Sequence, residues 1–424
     1  MSEPNLWRAS SAEHFAAPAL DHDLTVDLAV IGGGFTGLAA ALEAARQGAS
    51  VCVLEAETVG HGGSGRNVGL ANAGLWLPPE TVVVQMGATA GHRLITALAA
   101  APARVFDLIA REGIACEPTR TGTLHLAHAP SGLKDLAERH RQGVALGAPL
   151  RLLDAAETAR RTGTSAYHGA LFDPRAGTIQ PLAYARGLAR AAQAAGAKIC
   201  EHTAVSALTR QSGHWQLVAG GKTLRAKALL VATNAYHLGI RSPFRPQFVA
   251  VSYCQFATAP LPISQRKTIL AGGEGCWDTA TVMSSFRLDQ AGRLILGGIG
   301  NSEGAGGPLH AAWARRKLAA LFPTLKGIAF EHAWRGRIAM TGDHIPKIVG
   351  FGPDAFACFG YSGRGIGPGT VFGTDAAQAL LSGNPDLLPV TPVATHTERF
   401  TALREVYYET GASLVHAISA RAAG

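Results

Sequence analysis

Charge is scarce in this chain: Asp, Glu, Lys and Arg make up 16% of its 424 residues, a balance that disfavours a coiled coil or a disordered polymer. No apolar run approaches the ~20 residues needed to cross a bilayer. The opening "MSEPNLWRASSAEHFAAPAL" has no apolar core of a secretory signal. A soluble, cytoplasmic location is the resulting expectation. Cysteine is sparse too: six residues, at 52, 116, 200, 254, 276 and 358, form no CxxC pair and mostly sit within apolar runs. They read as reduced core thiols, with no metal site expected. A basic block is also missing. The net charge of +8 is spread along the chain without interleaved aromatics, which suits acidic substrates or solubility better than nucleic acid. Neither an internal repeat nor a low-complexity linker is present.

What the chain has in quantity is glycine, 51 residues, and hydrophobic side chains, 47%. These allow a large core, two or three domains and many close backbone turns. The most informative glycines lie in "VDLAVIGGGFTGLAAALEAARQGASVCVLEAE", residues 26–57. An apolar strand, a glycine turn, an alanine-rich helix ended by Gly48 and a second strand follow in register as a βαβ unit. Gly32, Gly34 and Gly37 occupy the G-x-G-x-x-G places: tight turn, close approach to a pyrophosphate, and close helix packing. Glu55 ends the second strand, where a carboxylate accepts hydrogen bonds from a ribose 2′-OH. It would repel a 2′-phosphate, which leaves NAD and FAD open.

A second glycine-rich loop, "GHGGSGRNVGLANAGLW" at 60–76, separates those two. A nicotinamide enzyme has no physical need for it, whereas FAD must be followed along its pyrophosphate and ribityl chain to a flat tricyclic ring. Ser64, Arg66 and Asn67 can donate to phosphate or flavin oxygens there. A third bend, "SGRGIGPG", lies between the strand "AFACFGY" and the helix "TVFGTDAAQALLSG". Its amides and helix dipole suit the edge of a flavin on which negative charge accumulates during reduction, and Arg364 adds a full charge.

With these motifs the chain resembles the FAD-dependent amine and amino-acid oxidase superfamily typified by D-amino acid oxidase, glycine oxidase and sarcosine oxidase. The resemblance runs from "DLAVIGGGFTGL" through "GSGRNVG" and "ALLVATNAY" to "GYSGRGIGPGT". Within it, "GSGRNVG" and "GYSGRG" are most similar to the branch containing γ-glutamylputrescine oxidase and bacterial L-pipecolate oxidase. "NVGLANAGLWLPPE", "RTGTLHLAH" and "RAGTIQPLAYARGLARAA" are most similar to L-pipecolate oxidase.

The resemblance implies a mixed α/β fold, with a Rossmann-like FAD-binding domain (1–112, 176–240 and 340–424) interleaved with an antiparallel-sheet substrate domain (113–175 and 241–339). Val205 falls where the superfamily places a backbone contact to adenine, and Ala232 and Thr233 fall near the pyrophosphate. The expected cofactor set is Gly32, Gly34, Phe35, Thr36, Gly37, Glu55, Ala56, Ser64, Arg66, Asn67, Val68, Val205, Ala232, Thr233, Gly363, Arg364, Gly365 and Ile366. Sarcosine oxidases carry a carboxylate-binding lysine where this chain has Gly367. Their flavin-linking cysteine has no counterpart in "WRGRIAMTGDHIPKI", and Asn67 stands where some relatives carry a flavin-linking histidine. FAD is therefore expected to be noncovalent.

The implied reaction moves a hydride equivalent from the carbon beside a neutral amine to flavin N5, leaving an imine. Oxygen then reoxidises the flavin to give hydrogen peroxide, unless a carrier such as a quinone does so. The best substrate is a small secondary amine or imino acid, foremost L-pipecolate giving 1-piperideine-6-carboxylate, with γ-glutamylputrescine or another ω-amine as the alternative. Candidates for holding it are Tyr253, Arg287, Arg337 and Arg364, followed by Arg335; His61 and His344 are candidate bases.

Overall fold

The stretch read as strand, turn, helix and strand forms those elements: Leu24–Ile31, Phe35–Arg46 and Val51–Leu54. They belong to a computed structural model that describes residues 5–419. Leu24–Ile31 pairs in parallel with Val51–Leu54 on one side and Lys222–Val231 on the other. Lys198–Cys200 and Ala355–Phe359 extend the parallel sheet at its two ends. Lys347–Gly352 adds an antiparallel edge.

Alternation along the central strand shows how this sheet is covered. Leu28 and Val30 face a core shared with Leu38, Leu188 and Phe372, which come from the helices Phe35–Arg46, Pro181–Ala194 and Ile366–Ser382. Ala29 and Ile31 face the other way, onto Trp215, Leu217 and Phe359. There the cover is a meander, Val205–Gln211, His214–Ala219 and the start of Lys222–Val231. The sheet is buried on both faces, as a parallel sheet requires.

The second sheet runs Phe330–Met340, Val249–Pro260, Arg293–Ile299, Ser284–Leu288, Gly275–Asp278, Thr123–Leu126, Ala170–Asp173 and Arg151–Leu153. The expectation of an antiparallel sheet needs one correction. Gly275–Asp278 and Thr123–Leu126 pair in parallel, because two antiparallel groups from distant parts of the chain join at that seam. Period-2 alternation separates its faces: Cys254, Phe256, Cys276 and Phe286 enter a core with Trp313, while Tyr253, Gln255, Trp277 and Ser285 line a cavity between the sheets.

The end of the chain also departs from expectation. The resemblance places residues 340–424, of which 420–424 lie outside the described residues, in the dinucleotide domain, but the helix Thr401–Ile418 packs on the second sheet and on the helix Gly307–Leu321. Its His416 ring stacks on Trp313 at 3.8 Å, and its Glu409 carboxylate accepts the Asn301 N–H at 3.2 Å. Among the described residues no helix is long and apolar enough to cross a membrane.

Candidate active site

The first glycine turn starts at Gly32, whose φ of +110° is open to few L residues. A Cβ there would also lie 2.9 Å from the Ala232 carbonyl oxygen. Gly34 is the N-cap of Phe35–Arg46 and supplies no capping side chain. The first-turn N–H of Phe35 donates to Ser64 Oγ at 3.0 Å. Gly37 borders no cavity; a Cβ would lie 2.0 Å from the Gly32 carbonyl oxygen, so its bare backbone lets the helix pack onto the turn. Glu55 accepts the Gly33 N–H at 2.6 Å and the Glu57 N–H at 3.0 Å. Burial pushes its carboxyl pKa above the usual range.

The second loop lies alongside, but its polar side chains are largely spent on holding its own shape. Asn67 Nδ2 donates to the Gly63 and Ser64 carbonyls, and Asn67 Oδ1 accepts the Gly69 N–H. Arg66 corrects an expectation. Its guanidinium donates to the His61 carbonyl at 2.8 Å and the Arg335 carbonyl at 3.0 Å, outside the cavity lining, and so ties the loop to the second sheet. From outside, Asn5 Nδ2 donates to the Gly65 carbonyl and Trp7 Nε1 to the Asn67 carbonyl. Nothing in the "NLWRAS" stretch signalled that pinning role.

The third bend follows Ala355–Phe359, with Ser362 at φ +48° and Gly363 at φ +92°. It opens the helix Ile366–Ser382, whose N-cap Gly365 again lacks a capping side chain. This helix crosses Phe35–Arg46 in backbone contact: a Cβ on Gly373 would lie 2.1 Å from the Thr36 carbonyl oxygen. Two helix N-termini whose glycine N-caps supply no side chain, each the positive end of a dipole, therefore border the same cavity.

That cavity, about 530 Å³, is continuous from Glu55, Val205 and Thr233 at one end to Trp277, Tyr253 and Met283 at the other. Phe35, Thr36, Ala56, Val68, Ala232 and Ile366 all border it. Its acidic lining residues, Glu55 and Glu57, are both at the first end; of its arginines, Arg337 comes from Phe330–Met340 of the second sheet, and Arg364 comes from the third bend with its guanidinium beside Trp277.

Arg364 Nη1 donates to the Ala73 carbonyl at 2.8 Å, and its guanidinium lies 5.2 Å from the Trp277 ring centroid. Among the described residues no carboxylate forms an ion pair with it. Burial pulls its pKa down to about 10, which leaves it charged at neutral pH. Trp277 in turn stacks on His125 at 4.9 Å. Arg337 borders the cavity with an exposed side chain.

Tyr253 lies over Gly336, where a Cβ would come within 2.5 Å of its ring and hydroxyl; burial pushes its phenol pKa up. Arg287 is a second correction. It is 1% exposed, outside the cavity lining, and donates to the Ile179 carbonyl at 2.6 Å and the Gly69 carbonyl at 3.2 Å. It is a backbone clamp, not a group open to a ligand. Arg335 is likewise engaged, in an ion pair with Glu303. His61 and His344 border the cavity, and burial lowers both pKa values.

Several lining residues were not foreseen: Trp76, Tyr236, Gln255, Trp277, Met283 and Tyr408. Gln255 was within reach of sequence reasoning, because it shares a strand face with Tyr253 two residues away. Trp277 and Tyr408 enter through tertiary packing that no local pattern announces.

The fold and this continuous cavity define an FAD-dependent amine or amino-acid oxidoreductase. The chain belongs to the DAO family, described as FAD dependent oxidoreductase, whose family model matches residues 27–379. It is 29% identical over 382 residues to the Haemophilus influenzae protein named "Probable oxidoreductase OrdL", covering 88% of this chain and 86% of that one. It is also 29% identical to the gamma-glutamylputrescine oxidoreductase of Escherichia coli, covering 85% of each. The crystal structure of glycine oxidase from Geobacillus kaustophilus superposes with a TM-score of 0.69 at 24% identity, covering 85% of this chain and 95% of that one.

The lining fits the family's cofactor on three counts. Both helix N-termini line the cavity, the first with its Phe35 N–H held by Ser64 Oγ. A Cβ on Gly365 would meet no protein atom within 4 Å, so the space beside that turn is free. Gln255 Oε1 and Trp277 Nε1 are buried without a protein partner, which leaves them available to a ligand.

Proposed function

We propose that the chain oxidises a small secondary amine or imino acid bearing a carboxylate, with L-pipecolate the first substrate to test, and that Arg364 holds the carboxylate. The observation that carries this reading is the enclosed Arg364 guanidinium, paired with a single backbone carbonyl and no acid. A half-buried cation without a counter-ion is costly. A carboxylate forming a bidentate fork with it removes that cost and orients the substrate.

In this reading the adenine lies by Val205, the ribose hydroxyls by Glu55, the pyrophosphate at the N-terminus of Phe35–Arg46, and the flavin edge at Gly363–Ile366. FAD, when bound, supplies the two-electron acceptor for the hydride equivalent leaving the substrate carbon. The chain's own contribution is binding and electrostatics. Trp277, Trp76 and Tyr236 keep water from the substrate, and Tyr253 and Gln255 offer polar atoms to its ring nitrogen or carboxylate. With two arginines and no carboxylate lining that end, the field disfavours an ammonium and favours the neutral amine that the reaction needs. Oxygen is the proposed terminal acceptor. FAD is proposed to be noncovalent, since none of the six cysteines borders the cavity.

The test is anaerobic mixing of the yellow holoprotein with L-pipecolate, D-pipecolate, L-proline, sarcosine and γ-glutamylputrescine, followed by flavin bleaching. Fast bleaching by a carboxylate-bearing cyclic amine supports the reading. Bleaching by γ-glutamylputrescine alone would replace it with the ω-amine reading that the Escherichia coli relative favours.

A further inference from the structure

The helix Thr401–Ile418 has one face on the second sheet and another that none of the described residues covers. Phe400, Leu403, Tyr407, Leu414 and Ile418 are 76%, 73%, 72%, 64% and 70% exposed. With Gly411 they form a single seam, each step along it being three or four residues, as in helices that pack on helices.

We propose that this seam is the interface of a two-fold homodimer, in which the helix crosses its own copy antiparallel at Gly411. Three observations favour a second copy of this chain over other occupants. The seam is self-complementary: Tyr407 and Leu414 stand equally far from the Thr410–Gly411 peptide, and so do Leu403 and Ile418. An antiparallel pair therefore sets Tyr407 against Leu414 and Leu403 against Ile418 on both sides of the axis, as an isologous contact requires.

Gly411 is the second observation. Glycine weakens a helix interior, and a Cβ here would meet no atom of the chain within 4 Å. None of the described residues calls for glycine at this place, whereas a close helix crossing does.

Charge is the third. Arg404 is paired with Glu398, Glu405 accepts the Ala250 N–H, and Glu409 accepts the Asn301 N–H. The helix offers no free cation to anionic headgroups, unlike helices that lie on membranes. The consequence reaches the active site, because the neighbouring Tyr408 lines the cavity. Dimerisation holds in place a helix that forms part of its wall.

Sedimentation velocity of the holoprotein at micromolar concentration tests this, with a dimer of the 43.9 kDa chain expected. Leu403→Glu combined with Leu414→Glu should give a monomer that keeps its flavin spectrum. Gly411→Gln, which the monomer has room for, should weaken the dimer at least tenfold. A monomeric wild type, or a dimer that survives both changes, overturns the proposal. So does co-sedimentation of the wild type with phosphatidylglycerol vesicles. If the double variant does not fold, unchanged dimerisation of Gly411→Gln is sufficient to overturn it.

Discussion

Thr36 Oγ1 and the Tyr361 hydroxyl lie 2.8 Å apart, both buried, across a sequence separation of 325 residues. The bond joins the first turn of the N-terminal glycine-turn helix to the residue that enters the C-terminal bend. The two glycine-led helix ends are thereby fixed relative to each other. Tyr361→Phe leaves the Thr36 hydroxyl without this partner, at a cost of about 1–3 kcal/mol. We expect a lower Tm and FAD affinity reduced roughly tenfold, read by flavin-fluorescence titration of the apoprotein. An unchanged Kd would show that the bond does not register the two turns.

Gly365 offers a sharper separation of folding from cofactor binding. Its φ of −103° suits any residue, and a Cβ there would meet no protein atom within 4 Å. Gly365→Leu should therefore fold, with far-UV circular dichroism like the parent, and purify without yellow colour. A variant that retains stoichiometric FAD would place the flavin away from this bend.

The half-buried Arg364 and the buried Arg287 should fail in different ways. Arg364→Met removes the proposed carboxylate anchor, and KM for a carboxylate substrate should rise on the order of 100-fold, the equivalent of about 3 kcal/mol. Arg287→Met instead strands the Gly69 and Ile179 carbonyls that its guanidinium holds. Its main effect should be a lower Tm, about 1–3 kcal/mol in stability, with KM within a few-fold of the parent. Steady-state kinetics beside thermal melts tell the two apart, and the opposite pattern would reverse their roles.

Acid should act partly through His416. It is fully buried against Trp313 and His310, and burial pulls its pKa from 6.5 down to about 3. The unfolded chain binds this proton more readily than the folded one. Its contribution is complete above about pH 6.5 and is lost as pH falls toward 3, by at most about 1.4 kcal/mol per pH unit. Melting temperatures from pH 7 to pH 5 should fall, and His416→Gln should flatten that slope. An equally steep slope in the variant would remove His416 from the account.

The three glycine bends were legible because each needs a residue type that little else explains: positive φ at Gly32, Gly69 and Gly363, and contact with a neighbouring backbone at Gly37. Glu55 was legible from its place at the end of a strand. The arginines were not separable by sequence, since Arg66, Arg287 and Arg364 all lie near glycine loops or alternating strands. What distinguishes them is whether main-chain carbonyls satisfy the guanidinium, and those carbonyls come from residues up to 291 positions away. The final helix, expected with the dinucleotide domain, packs on the second sheet for a related reason. Its anchors, Glu409 and His416, are polar groups whose partners are fixed only by the fold.

The most direct measurement is a crystal structure of the holoprotein with a flat, non-oxidisable cyclic carboxylate. The account requires one FAD running from Val205 past the Gly32–Phe35 turn to Gly363–Ile366, with the ligand carboxylate on the Arg364 guanidinium. A nicotinamide in that cavity, a flavin ring at the Glu55 end, or a carboxylate bound elsewhere with Arg364 still facing only Ala73 would contradict it.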